Sequence, residues 1–274
     1  MSIRSQIAIR RWIARWTIAV ALALCVAAPA GAVVIVLQDF ESYTPGSDTV
    51  GDVSVEDATF GVTPTQGTQQ LLLTSEGTAV TDAAAETAMG LTGGTIQSAF
   101  DTHIANLGLS TGTGPTEGSA FQITFTAEAG DLLEFDWNFL SDEVSPSPGN
   151  DPPDPGLYTD FGWFFLEDPS AGTGDGVLSH ANDPNVTFAT SGATGFLDET
   201  GYQTITMNLN QTGTYTLTLG ANDVQDANDN WASALVVDYF RLVRGPEPGT
   251  FGTLAGGLIA LSWLSRRRQR TRQR

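Results

Sequence analysis

Four runs in this chain alternate apolar and polar residues with a period of two, and that period most constrains what the chain can become. Phe121, Ile123 and Phe125 alternate with Gln122, Thr124 and Thr126, and Leu133, Phe135, Trp137 and Phe139 alternate with Glu134, Asp136 and Asn138. Further on, Ile205, Met207 and Leu209, then Tyr215, Leu217 and Leu219, repeat the pattern with Thr and Asn between them. Successive side chains of an extended strand point to opposite faces, so each run has one dry face and one wet face. Strands wet on one side belong to antiparallel sheets, whereas parallel sheets under helical crossovers are dry on both. Turn signals such as Gln211-Thr212-Gly213 separate the runs. The expected fold is therefore mainly β: an antiparallel β-sandwich. Residues 82–91 and 95–109 break the pattern with Ala-rich spacing and predict short helices decorating the sandwich. Residues 145–156 hold five prolines and form a loop within the domain, because strands flank them closely on both sides.

Charge divides the chain into three. All twelve basic residues are arginine: four lie between Arg4 and Arg15, two are Arg241 and Arg244, and six lie between Arg266 and Arg274. Thirty carboxylates surround the two middle arginines. Such a surface repels nucleic acid, whose phosphates are bound through Lys and Arg, so nucleic-acid partners are excluded. Residues 1–32 predict an export signal: Arg4, Arg10, Arg11 and Arg15 precede an apolar run from Trp16 to Val26, and Ala28-Pro29-Ala30 or Ala30-Gly31-Ala32 offers a small-residue cleavage site. Cleavage there removes Cys25, the single cysteine, so the mature chain has neither disulfides nor thiol chemistry. Residues 33–244 are the extracellular domain. Residues 249–264 are uncharged and span about 24 Å as a helix at roughly 1.5 Å per residue, against a hydrocarbon core of about 30 Å. Arg266, Arg267 and Arg268 follow as a membrane stop held on the cytoplasmic side.

Pro246, Glu247 and Pro248, the uncharged run and the arginine tail resemble, in that order, the PEP-CTERM sorting signal of Gram-negative bacteria. Gly245 stands where a valine is common in that signal. The resemblance covers residues 245–274 and implies export, transient anchoring in the inner membrane by a transmembrane helix, recognition by exosortase, removal of the tail, and release to a cell surface or matrix rich in exopolysaccharide. The segments GDLLEFDWNFLSDE, DFGWFFLED and ASALVVDYFRLV resemble the sandwich bodies of other PEP-CTERM proteins, akin to galactose-binding-like jelly rolls. That implies a non-catalytic adhesive or matrix module, with a structural calcium linking Glu41, after the first strand, to Asp238 on the last.

Calcium takes six to eight oxygens, and acidic loops can supply them. Asp223, Asp226 and Asp229 crowd the stretch NDVQDANDN before the last strand. Asp226, Asn228 and Asn230 fit alternating ligand positions, but Trp231 and Val237 stand where an EF-hand needs glycine and glutamate. The same residues also make a solvated turn rich in Asx side chains. Asp142 and Glu143, facing Asp160 across the proline loop, carry the same ambiguity. Gly108-Leu109-Ser110-Thr111-Gly112 matches a nucleophile elbow in letters, yet it follows a predicted helix and enters a Gly/Thr loop, so no catalysis is expected from it. His103 and His180, the only histidines, lack metal-ligand spacing and are expected at the surface or in the core. The alternative to a matrix protein is a lectin-like module that stacks sugars on aromatics such as Trp137, Trp163 and Trp231, although aromatics on alternating strands are more often core.

Overall fold

In the computed structural model, which describes residues 32–108, 114–142, 160–170, 173–181, 183, 185–224 and 232–245, the alternating runs are strands. In chain order the strands and helices are β1 (Val33–Gln38), β2 (Thr49–Val50), β3 (Asp52–Asp57), β4 (Gln69–Thr74), β5 (Val80–Thr81), α1 (Asp82–Met89), α2 (Thr95–Asn106), β6 (Pro115–Ala127) and β7 (Leu132–Ser141). They continue with β8 (Phe161–Glu167), β9 (Thr173–His180), β10 (Ala189–Thr190), β11 (Asp198–Glu199), β12 (Gln203–Asn208), β13 (Gly213–Val224) and β14 (Ser233–Arg244). Residues Val34–Arg244 cluster as one unit. The expected signal segment, Pro246 to Pro248, the sorting helix and the arginine stop lie outside the described residues. Among the described residues no helix is long and apolar enough to cross a membrane.

Two sheets form. The first has the order β10-β11-β7-β14-β4-β3, with β12 also on β7 and β1 also on β14. The second has the order β2-β6-β13-β8-β9, with β5 also on β6. Their central ladders, β14 on β7 and β13 on β6, are antiparallel. The dry faces meet: Leu133, Phe135, Trp137 and Phe139 of β7 pack with Phe121 and Phe125 of β6 and with Tyr215, Leu217 and Leu219 of β13. Ser119 ties the sheets at one end, its Oγ accepting the Asp52 amide at 2.7 Å and donating to Thr74 O at 2.5 Å. The sandwich expected from the period of two is present.

A bulge adjusts the last strand. Leu235 and Val237 point into the core, and strict alternation would send residue 239 after them. Tyr239 instead takes φ 50°, the ladder to β7 shifts between Asp238 and Arg241, and Phe240 and Leu242 point inward. One extra residue of this kind resets which side chains face the core.

The helices do more than decorate. In α2, Ile96, Ala99, Phe100 and Ile104 fall at i, i+3, i+4 and i+8, one stripe of a helix, and in α1 Ala85 and Met89 do the same. These stripes cover the outer face of the second sheet, on Ala120, Phe161, Trp163, Phe165 and Val224. Strand β8 is thereby dry on both faces, with Leu166 toward the other sheet and Trp163 under the helices. Its run FGWFFL is continuous for that reason. Gly220 lies so close beneath Trp163 that a Cβ there would overlap Cζ2 of the indole. Buried Glu86 of α1 accepts the amides of Gly94 at 2.7 Å and Ile96 at 2.8 Å, closing the N-terminus of α2.

Candidate functional site

Two clusters of polar side chains stand out against this frame. The first lies on the outer face of the first sheet. Asp136 of β7 and Asp238 of β14 are register partners, so two carboxylates sit side by side across the ladder. Both are engaged by the loop before β4. Asp238 Oδ2 accepts the amides of Thr65 at 2.7 Å and Gln66 at 3.0 Å, and the Thr65 hydroxyl lies 2.8 Å from Asp136 Oδ2 and 2.9 Å from Asp238 Oδ2. Thr204 of β12 donates to Asp136 Oδ1 at 2.6 Å. Glu41 grips the same loop two residues further on, accepting from the amides of Thr68 and Gln69 and from the Thr68 hydroxyl. The two residues that the family resemblance pairs, Glu41 and Asp238, thus meet on one loop, 65–69. Asp238 is fully buried and its Oδ1 has no hydrogen-bond partner. Burial pushes its pKa up against the pull of the Gln66 and Thr65 donors, and the hydrogen bonds from Thr68 hold that of Glu41 down.

Asp223 lies buried within β13. Asp226, Asp229 and Trp231 lie outside the described residues, as do Glu143 and Ser110. Asp142 donates its amide to Ala232 O, and Asp160 accepts the Val224 amide at 3.0 Å and the Ser75 hydroxyl at 3.4 Å, so both belong to the buried seams at the ends of β7 and β8. The aromatic platform is corrected by packing: Trp137 is 5% exposed in the central core, and Trp163 is 0% exposed under the helices with its Nε1–H on Asn222 Oδ1 at 2.6 Å. Neither ring is free to stack on a sugar.

The second cluster escaped the sequence. His103 falls at i+7 from Ile96, on the buried stripe of α2. His180 ends β9 opposite Phe161, and opposite residues share a face, so it too points at the helices. The chain then turns back, Asp183 donating its amide to His180 O at 3.0 Å, which sets the Asp183 carboxylate beside both rings. The rings lie 5.2 Å apart at 77°, and His103 Nε2 is 3.9 Å from Asp183 Oδ2. One ligating atom from each of the three falls within 4.8 Å of the others. Burial lowers the pKa of both imidazoles, His180 lowers that of His103 further, and the Asp183 carboxylate opposes the shift in each. The spacing of 77 residues hid the cluster, and nothing in the sequence marked His180 as the end of a strand facing the helix that carries His103.

No protein-family model matches the chain, and no curated protein matches it. Similar solved structures include TmCBM61 in complex with β-1,4-galactotriose, 10% identical, covering 75% of this chain and 90% of that one with a TM-score of 0.35. The CBM22-1 xylan-binding domain of Paenibacillus barcinonensis Xyn10C is 14% identical, over 81% of this chain and all of that one, TM-score 0.30. The K3 adhesin domain of Lys-gingipain from Porphyromonas gingivalis is 12% identical, over 77% and 99%, TM-score 0.33. The sugars and surfaces in these descriptions are those of the other proteins.

Proposed function

We propose that this chain is an exported, non-catalytic β-sandwich of the cell surface or extracellular matrix, sorted by an exosortase through its PEP-CTERM-like tail, and that it binds neutral polysaccharide there. The division of charge carries the reading. Both arginines of the sandwich are engaged by carboxylates, Arg241 with Glu134 at 2.7 Å and Arg244 with Asp131 at 2.9 Å and Glu128 at 3.0 Å. The remaining ten arginines flank the apolar runs at the two chain ends. Positive ends beside apolar runs and a carboxylate-rich body are the pattern of a chain whose ends start in the cytoplasm and whose body is delivered outside. A body so acidic repels anionic polymers, which is why neutral sugars are the proposed ligand class.

Calcium belongs to the same proposal. Asp238 of β14 holds the loop through Oδ2 and buries its Oδ1 without a hydrogen-bond partner, which suits a cation; Glu41, which holds the same loop, and Asp238 would bind the ion, which supplies positive charge to offset two carboxylates. A rise in the melting temperature with millimolar calcium, reversed by chelation, is the expected result, and identical melting in both conditions removes the ion.

The sorting test replaces Pro246, Glu247 and Pro248 with alanine in the full chain, expressed in a Gram-negative host that carries an exosortase. The unaltered chain should be shortened and recovered outside, while the variant stays full-length in the inner membrane. Full-length, unaltered chain free in the cytosol overturns the proposal. Affinity electrophoresis against neutral and anionic polysaccharides, with calcium present, tests the ligand class: retardation by neutral gels alone is expected, and migration unchanged in every gel removes polysaccharide binding.

A further inference from the structure

We propose that His103, His180 and Asp183 bind a divalent transition-metal ion, zinc(II), that clips helix α2 to the turn after β9. The proposal rests on atoms that the fold buries without partners. Nε2 of His103 and Nε2 of His180 are both buried and accept or donate no hydrogen bond. Native proteins seldom bury polar atoms so, and an ion is one of the few things that accounts for two at once. The rings pack T-shaped, and one ligating atom from each of the two histidines and from Asp183 falls within 4.8 Å of the others. A His103–Asp183 hydrogen bond does not resolve this, because 3.9 Å exceeds hydrogen-bonding distance.

The other polar atom of each buried ligand is already fixed. His180 Nδ1–H donates to Ala181 O at 2.7 Å, which puts the lone pair on Nε2. Asp183 Oδ1 accepts the Asn185 amide at 2.9 Å, leaving Oδ2 toward the histidines. Such outer contacts set the tautomer and aim of metal ligands. His180 and Asp183 are 1% and 6% exposed, while the His103 side chain, at 22%, opens to solvent. The two more deeply buried ligands therefore come from the strand end and its turn, and His103 on α2 is the ligand nearest to solvent. Two imidazoles and one carboxylate suit zinc, copper, iron or nickel and not calcium, which takes oxygen ligands. Zinc is the choice because three protein ligands with a fourth position for water is a common zinc set and the clip needs no redox chemistry. The site is separate from the Glu41–Asp238 loop, so it stands or falls apart from the calcium proposal.

The test titrates the full-length chain, without a histidine tag and in detergent, with cobalt(II) as a visible probe and then with zinc(II). One equivalent of cobalt should give a tetrahedral absorption band that zinc abolishes and calcium leaves in place. His103→Gln and Asp183→Asn should each weaken zinc at least fivefold while leaving the far-ultraviolet circular dichroism unchanged. A smaller loss of affinity in both, or no stoichiometric binding by the unaltered chain, overturns the proposal. Nitrogen-15 spectra give a second readout that needs no variant. Because the chain has only two histidines, zinc should shift the Nε2 resonances of both, and a shift in neither or in one alone overturns it.

Discussion

The two sheets hide their outer faces by different means. The second sheet is roofed by α1 and α2, whose apolar stripes seal Phe161, Trp163 and Phe165, with Phe100 stacked on Phe161 at 4.7 Å. The first sheet is covered by connecting loops around a smaller apolar set of Val62, Leu72, Leu140, Ala193, Ala234 and Val236, and beside it by carboxylates that catch backbone amides. Apolar burial is proportional to area and tolerant of direction, whereas a buried carboxylate is useful only where donors meet it. One roof is held by volume and the other by placement.

Substitutions can break that contrast, and the largest effect belongs to the helical roof. Trp163→Ala removes a fully buried indole and strands Asn222 Oδ1, so chemical denaturation should show a loss of about 3–5 kcal/mol. Asp238→Ala leaves the Thr65 and Gln66 amides without their acceptor and should cost about 2–3 kcal/mol, with faster hydrogen exchange confined to the loop before β4. If Asp238→Ala costs more than Trp163→Ala, the ranking of volume over placement is wrong. Tyr202→Phe deletes the hydroxyl that donates to Gln70 Oε1 beneath the loops and should cost about 1 kcal/mol.

The smallest effect is one of pH, at the far end of β14. Burial works against ionising Asp131, but the Arg244 hydrogen bonds and the Glu128 amide outweigh it and hold its pKa below the usual 3.8. A carboxylate with a depressed folded pKa stabilises the fold above its unfolded value and loses that contribution as pH falls through the folded one. Acid titration of stability below pH 3.8 should therefore be shallower in Arg244→Met than in the unaltered chain; equal slopes would show that the pair contributes nothing.

The contrast also explains what the sequence disclosed. Leu133 to Phe139 and Tyr215 to Leu219 announce themselves because one face of each strand is wet, and the alternation is the trace of that asymmetry. Strand β8 shows no alternation since both faces are dry, and only the finding that α1 and α2 cover it explains why. The helices were legible from spacing at 82–91 and 95–109, and the structure ends them at Met89 and Asn106. Their role was not, because a stripe of Ile96, Phe100 and Ile104 says that something is covered without saying what. Two-residue strands such as β2, β5, β10 and β11 have too few positions to show a period. Glu41 and Asp238 could be linked only by resemblance, for what they share is one loop, 65–69, whose backbone amides leave no mark in side-chain identity and whose threonines are one pair among many in this chain. His103 and His180 come together through a turn and a helix packing, neither of which spacing along the chain encodes.

Tyr239 has a consequence for assembly of the sandwich. Upstream of it, odd-numbered residues of β14 face the core; downstream, even-numbered ones do. Sliding this strand by one step against β7 would put Asp238 or Arg241 among phenylalanines, and sliding it by two would set the kinked residue against a flat stretch of its neighbour. The out-of-phase halves act as a key cut at two depths, leaving the final strand a single alignment in which it can close the sheet.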